Sequence, residues 1–376
     1  MVRGRVFDKI KHPRHWMTTV DRSDSKRLQR GRGATFSPDN RFSEISHAAV
    51  DDGWGNLDVP LEPLRTTLTH DTSCTVITYN DSPDVGFDRS INPYRGCEHG
   101  CVYCFARPSH AWLGLSPGLD FESRLFYKPN APQLLEQELA AHSYRPAPIA
   151  VGINTDGYQP VERKLQLTRR ILEVLVAAKH PFTIVTKSAL VERDLDLLQT
   201  AAADNLVSVA VSITTLDRAL ARRMEPRAAA PQRRLEVVQT LSAAGIPVSV
   251  LVAPLIPVLT DGELENILEA VHAAGARAVS YVLLRLPHEV KDLFQSWLTA
   301  HEPLKAEHVM NRIRDTRGGK EYDSRFGVRM RGTGDYAELI AKRFRIAQRK
   351  LGFGDFPSLD RTLFRAPRLG PQLDLF

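Results

Sequence analysis

The chain has 376 residues, 43% hydrophobic and 25% charged, a balance that suits a folded globular protein with a large core and excludes collagen-like and charge-rich disordered chains. Four cysteines in this length do not make a disulfide framework, and the longest apolar stretch is broken by Pro254 and Pro257, well short of the roughly 20 residues that cross a bilayer. The net charge of +6 is uneven: Met1–Arg32 holds ten Lys/Arg against three Asp/Glu, and Arg312–Lys350 holds twelve against five, clusters suited either to a phosphate backbone or to a solvated face.

Residues 1–45 are polar, rich in Arg and Ser, and without helical or strand period. They are expected to form a mobile basic arm, within which Met17 stands as an alternative start. The arm has no apolar signal core, so a cytoplasmic protein without a membrane anchor is expected. Residues 46–86 read as a lead-in segment packing on the body of the fold.

From about residue 87 the chain becomes rhythmic. "PAPIAVGIN" predicts a buried strand ending near Asn154, and "RKLQLTRRILEVLVAAK" a helix with Leu165, Thr168, Leu172, Leu175 and Val176 on one face. "PFTIVTK" and "LVSVAVSIT" predict strands around a helix at "LVERDLDLLQTAAA". The next helix, "PQRRLEVVQTLSAAG", has Pro231 near its start and Gly245 past its end. After the strand "IPVSVLVAP", Asp261 is placed to N-cap a helix that Gly275 ends. "ARAVSYVLLRL" is a strand and "HEVKDLFQSWLTA" a helix. Continuous apolar strands alternating with helices predict a parallel sheet covered by helices. With a strand just before Cys97 there are six units, giving an α/β fold of partial (β/α)6 barrel type over residues 87–300. Residues 301–376 form an extension, irregular from Arg317 to Asp335 and then helical in "YAELIAKRFRIAQRKLG".

"GCEHGCVYCFARP" holds Cys97, Cys101 and Cys104 in C-x3-C-x2-C spacing. Structural zinc takes four ligands, for which His99 or His110 would have to supply the fourth. A bacterial ferredoxin cluster uses C-x2-C-x2-C with a remote fourth cysteine, and the remote cysteine here, Cys74, does not fit that pattern. A [4Fe–4S] cube on three thiolates leaves one iron open for a substrate or cofactor.

C-x3-C-x-aromatic-C, with Tyr103 as the aromatic, resembles the signature of the radical S-adenosylmethionine (radical SAM) enzymes. Within them, "NPYRGCEHGCVYCFAR" resembles the spore photoproduct lyase-like branch over about Phe87 to Leu298. The resemblance implies that SAM chelates the open iron and is cleaved, on reduction, to methionine and a 5′-deoxyadenosyl radical that takes hydrogen from a substrate. It implies Cys97, Cys101 and Cys104 as cluster ligands and an electron donor such as a flavodoxin or ferredoxin. In a barrel, reactive groups gather at the C-terminal strand ends. There Lys187 resembles the lysine that meets the SAM carboxylate, Ser212 the serine near the ribose, and Thr155 a hydroxyl near the amino acid portion. Asp156 is placed to accept from the ammonium and Tyr103 to hold SAM. Glu225 and Arg227 either face the pocket or fasten their loop, and Tyr158, Tyr281, Arg285, Arg329 and Arg331 are candidates to meet substrate.

The chain departs from the resemblance at two points. "NTDGYQ" stands where most radical SAM enzymes carry G-G-E, and no cysteine follows Cys104, whereas spore photoproduct lyase uses one at the end of strand two. The lyase reaction itself is therefore not expected, unless Cys74 folds over the pocket as the hydrogen donor. One cluster is expected, in a monomer, with nucleic acid as a partner suggested by the basic clusters. The rival is a non-catalytic nucleic-acid-binding protein with a structural cluster or zinc.

Overall fold

The computed structural model describes residue 29 and residues 31–43, 63–355 and 358–369; the reading of a mobile arm falls mostly on residues outside these. Two short strands lead in, β1 (Thr67–His70) and β2 (Ile77–Tyr79). After β3 (Arg89–Ile91) comes an excursion that carries the cysteine loop: β4 (Tyr94–Arg95), α1 (Leu119–Ser123), β5 (Arg124–Tyr127) and α2 (Ala131–Ala140). In it β5 pairs with β1 in parallel and with β4 antiparallel, making a small separate sheet.

The rhythmic region comes next. It runs β6 (Ile149–Val151), α3 (Glu162–Leu165), α4 (Leu167–Ala177), β7 (Phe182–Thr186), α5 (Leu195–Ala203), β8 (Val207–Ser212), α6 (Arg218–Met224) and α7 (Pro231–Ala243). β9 (Val248–Leu255), α8 (Leu264–Ala273), β10 (Ala278–Leu283) and α9 (Val290–His301) complete it. β3, β6, β7, β8, β9 and β10 pair in chain order, all parallel, and β2 adds antiparallel on the outer side of β3. Hydrogen bonding ends at β10 on one side and β2 on the other, so the six parallel strands form an open array, as the expected partial barrel requires.

The strands of the array are largely buried, with Val185, Leu251 and Val282 half-buried beside the cavity, which is why they read as unbroken apolar runs. Leu172, Leu175, Val209, Leu241, Val250 and Leu268 are fully buried in one continuous core. Truncating such a leucine to alanine costs about 2–5 kcal/mol. α10 (Ala306–Asp315), which the sequence pattern leaves unassigned, packs on α9, while α11 (Asp335–Lys350) lies on α8 beside β10 with Phe344 against Tyr281.

Three helix expectations change. The helix expected across residues 163–179 divides at Gln166, whose φ is +51°. The cause is Glu162: its buried carboxylate accepts the Thr168 and Arg169 N–H groups at 3.1 and 3.3 Å, satisfying donors that a new helix start leaves free. The helix expected over Leu190–Ala203 begins as a 3-10 turn, Ala189–Asp194, before α5. Asp261 does not cap α8; it opens a 3-10 turn, and its carboxylate accepts the Tyr336 hydroxyl. Pro231 at the start of α7 and positive φ at Gly245 and Gly275 agree with expectation.

Candidate metal centre

The cysteine loop is held by buried side chains from distant parts of the chain. Arg107, fully buried, donates to Cys101 O (2.9 Å) and Gly100 O (3.2 Å) and pairs with the buried carboxylate of Glu122. That carboxylate also accepts the Gly33 and Ala34 N–H groups at 2.9 and 2.8 Å, which docks residues 31–43 on the loop. Gly33 sits so close that a Cβ there would lie 1.7 Å from Gly100 O, so only glycine fits. On the other side Gln159 accepts from Glu98 N (2.8 Å) and donates to Gly96 O (3.2 Å). Loop carbonyls and N–H groups that burial would otherwise leave unpaired are thus satisfied.

The three thiols border one cavity of about 320 Å³ at the C-terminal ends of the strands. Its wall includes Tyr103, Phe105, Gly152, Asn154, Asp156, Thr186, Lys187, Ser212, Arg285 and Met330. Gly152, at φ +82°, lets the chain leave β6 sharply; a Cβ there would meet Val185 O at 2.9 Å. Among the described residues, no three His, Cys, Asp or Glu side chains converge tightly enough to hold a single metal ion. A donor set of three thiols around one cavity suits a multi-iron cluster, in which each thiolate takes a different iron. Burial pushes all three thiols up, with Asp156 adding at Cys97 and Glu225 at Cys101, while Arg107 pulls Cys104 partly back. The chain alone therefore holds protonated thiols, and a bound metal centre would displace those protons.

Eight of the residues singled out from sequence meet here: Cys97, Cys101, Tyr103, Cys104, Asp156, Lys187, Ser212 and Arg285 all line the cavity. Two do not. Thr155 is buried with its hydroxyl donating to Tyr94 O at 2.7 Å, and Cys74 is exposed, its thiol near Thr72 O. Asp156 lines the cavity but is already engaged. It accepts from Tyr158 N and Lys187 N and from the Thr186 hydroxyl, and its Oδ2 lies 3.3 Å from His99 Nδ1. Burial alone would raise its carboxyl; His99 and the N–H donors hold it below the usual range. The aspartate fixes the strand ends, and its acceptor sites are occupied.

Lys187 is different: its ammonium lies 6.0 Å from the Tyr103 ring centre and has no acidic partner among the described residues. Tyr103 is oriented by Glu225 and Thr214, which its hydroxyl contacts. Of the two readings of Glu225 and Arg227, the structure shows the fastening one: neither lines the cavity, and Glu225 pairs with buried Arg234 while Arg227 pairs with Glu98 (3.1 Å). Of the substrate candidates, Tyr158 is buried in the core, Arg329 is paired with Asp84, and Arg331 lies over the Tyr281 ring. The apolar wall at Val85, Phe87 and Met330 carries no sequence signal of its own, though Phe105 follows Cys104 directly in "CFARP".

Residues 91–271 match the model of the Radical SAM superfamily. Over those residues the chain is similar to the Radical SAM superfamily. Its fold is shared with a spore photoproduct lyase variant: TM-score 0.55 at 14% identity, covering 84% of this chain and 86% of that one. A second lyase variant, with bound AdoMet and dinucleoside spore photoproduct, gives TM-score 0.53 at 13% identity over 76% of this chain and 79% of that one. An uncharacterized protein of Mycobacterium tuberculosis is 41% identical over 219 residues, 58% of this chain and 64% of the relative, so less than two thirds of that relative is spanned. Radical SAM domains use a [4Fe–4S] cluster and S-adenosylmethionine and need a reductant. Among the described residues no helix is long and apolar enough to cross a membrane.

Proposed function

We propose that the chain is a radical SAM enzyme in which Cys97, Cys101 and Cys104 hold one [4Fe–4S] cluster and the adjoining cavity takes SAM. The observation that carries this reading is the shared cavity: three buried thiols, an acid-free lysine and the strand ends border one space. When bound, the cluster and SAM supply reductive cleavage to methionine and a 5′-deoxyadenosyl radical that removes hydrogen from the substrate. In that space Lys187 meets the SAM carboxylate, a charge-assisted contact. Tyr103 keeps the lysine in place through its ring, Ser212 offers a hydroxyl to the ribose, and the apolar wall keeps water from the reacting atoms. The working unit is residues 87–300, whose mouth the flanking segments close. The thiols require a reducing compartment, for which the cytoplasm is the natural choice, and a flavodoxin or ferredoxin is the fitting donor.

The test is EPR on anaerobically reconstituted, dithionite-reduced protein with and without SAM, alongside chromatography for 5′-deoxyadenosine. The expected result is a reduced-cluster signal that changes with SAM, with 5′-deoxyadenosine formed. A SAM-insensitive signal without product overturns the reading and favours a structural cluster.

A nucleic-acid substrate is a narrower proposal. It is motivated by the fold shared with a lyase variant crystallised with a dinucleoside photoproduct, and by the exposed Lys342, Arg345, Arg349 and Lys350 of α11, which form no ion pair among the described residues. Other basic residues of that region are already engaged: Arg312, Arg314, Arg325, Arg329 and Arg343 are in ion pairs and Arg317 is buried. Binding to a DNA oligonucleotide should weaken with salt, and less steeply once the four α11 residues are neutralised. Salt-indifferent binding counts against it.

A further inference from the structure

The cavity contains a second cation, Arg285, just beyond β10. Its guanidinium lies 5.0 Å from the centre of the half-exposed Phe105 ring, and Nη1 is 3.7 Å from Met330 Sδ, a weak acceptor. Its buried Nε has no hydrogen-bond partner among the described residues. Asp84 is the acid that feels its charge, yet both Asp84 oxygens are taken, Oδ1 by Gly327 N–H (2.7 Å) and Oδ2 by Arg329. The surrounding wall is apolar: Val85, Phe87, Ile153, Val282 and Met330.

A guanidinium stays charged in any folded protein and presents five donors. Leaving it unpaired against an apolar wall is costly, and an oxyanion entering the cavity would remove that cost. The SAM carboxylate is not that anion on the reading above, because Lys187 takes it at the end of β7. β7 and β10 are separated by β8 and β9, about 14 Å along the curve of the sheet. With Lys187 assigned to the SAM carboxylate, Arg285 is left for a second anion.

We propose that Arg285, backed by Phe105, forms a substrate subsite for a carboxylate or phosphate group whose apolar body lies against Val85, Phe87 and Met330. The substrate class is an organic anion with an apolar portion next to its charge. This rests on the cavity being the SAM site, and it can fail separately.

The experiment is calorimetric titration of the anaerobically reconstituted full chain, with SAM present, using phenyl phosphate, benzoate, neutral benzyl alcohol and a short thymidine oligonucleotide as probes. The expected result is that an anionic probe binds at least about tenfold more tightly than benzyl alcohol and that Arg285→Gln loses about that factor. Arg285→Lys, which keeps the charge but not the fork, falls between. Iron content and circular dichroism of each variant show that it has folded. Preference for the oligonucleotide identifies the anion as a nucleic-acid phosphate; preference for phenyl phosphate or benzoate identifies a free small molecule. Equal affinity for benzyl alcohol and the anions, no anion binding at millimolar concentration, or unchanged affinity in Arg285→Gln overturns the proposal. A SAM-silent EPR signal on the same sample would instead overturn the functional reading while leaving the anion data to stand alone.

Discussion

Asp84 and Arg329 tie the two edges of the open strand array together. Asp84 lies in the loop between β2 and β3, on the first edge, and Arg329 lies in a segment anchored to the last strand by Leu283 N donating to Met330 O. Arg329 also donates to Ser82, and Gly327 N–H to Asp84. Val85 and Phe87 on one side of this tie, and Met330 on the other, all line the cavity. Replacing Arg329 with methionine should loosen the segment over residues 320–334. Limited proteolysis checks this: cleavage there should be faster than in the parent protein, and an unchanged rate would show that the tie does not hold the mouth.

The cluster reading separates the four cysteines. Alanine at Cys97, Cys101 or Cys104 should abolish stable cluster incorporation, measured as bound iron and sulfide. Alanine at Cys74, exposed and outside the cavity, should leave the iron content at the parent level.

Lys187→Met should weaken SAM binding by roughly ten- to a hundredfold, the size of a lost hydrogen bond to a charged group. Equilibrium dialysis on reconstituted protein reads this directly. Full retention of affinity would remove Lys187 from the carboxylate role.

The Arg107–Glu122 pair is buried on both sides, so removing one partner strands a charge. Glu122→Ala should cost about 3–5 kcal/mol. It should also release Gly33, Ala34 and the carbonyl-holding Arg107 together, lowering both the melting temperature and the cluster yield. A variant that melts normally with full iron would contradict the positioning role.

His110 and His180 give the fold an acid limit. Burial pushes each down to about 4, where an unfolded histidine titrates near 6.5. Between those values the unfolded chain binds more protons, so stability is full above about pH 6.5 and falls as pH drops toward 4. Each histidine should account for about 3 kcal/mol of that loss. His180→Phe should flatten the pH dependence of the denaturation midpoint by roughly one proton's worth.

The repeating units and the cysteine loop were legible because their signals are local. Apolar runs announce strands, Pro231 and Gly245 punctuate α7, and three close cysteines announce a metal centre. Strand-end position was enough to bring Lys187, Ser212 and Arg285 to the cavity. It failed for Thr155, because which way a hydroxyl turns depends on a carbonyl 61 residues earlier, at Tyr94. Residue spacing could not choose between the two readings of Glu225, because its partner, Arg234, lies on the following helix. Gln159, Glu122 and Gly33 carry no motif at all; only the three-dimensional meeting of their segments gives them a task.

The seat of Gly33 against Gly100 makes the cysteine motif non-portable. A synthetic peptide spanning Gly96–Pro108 would keep the three thiols and lose Gly33, Glu122 and Gln159, which hold the loop's backbone in shape. Grafting the same residues onto another scaffold would meet the same deficit unless those distant fasteners were carried along.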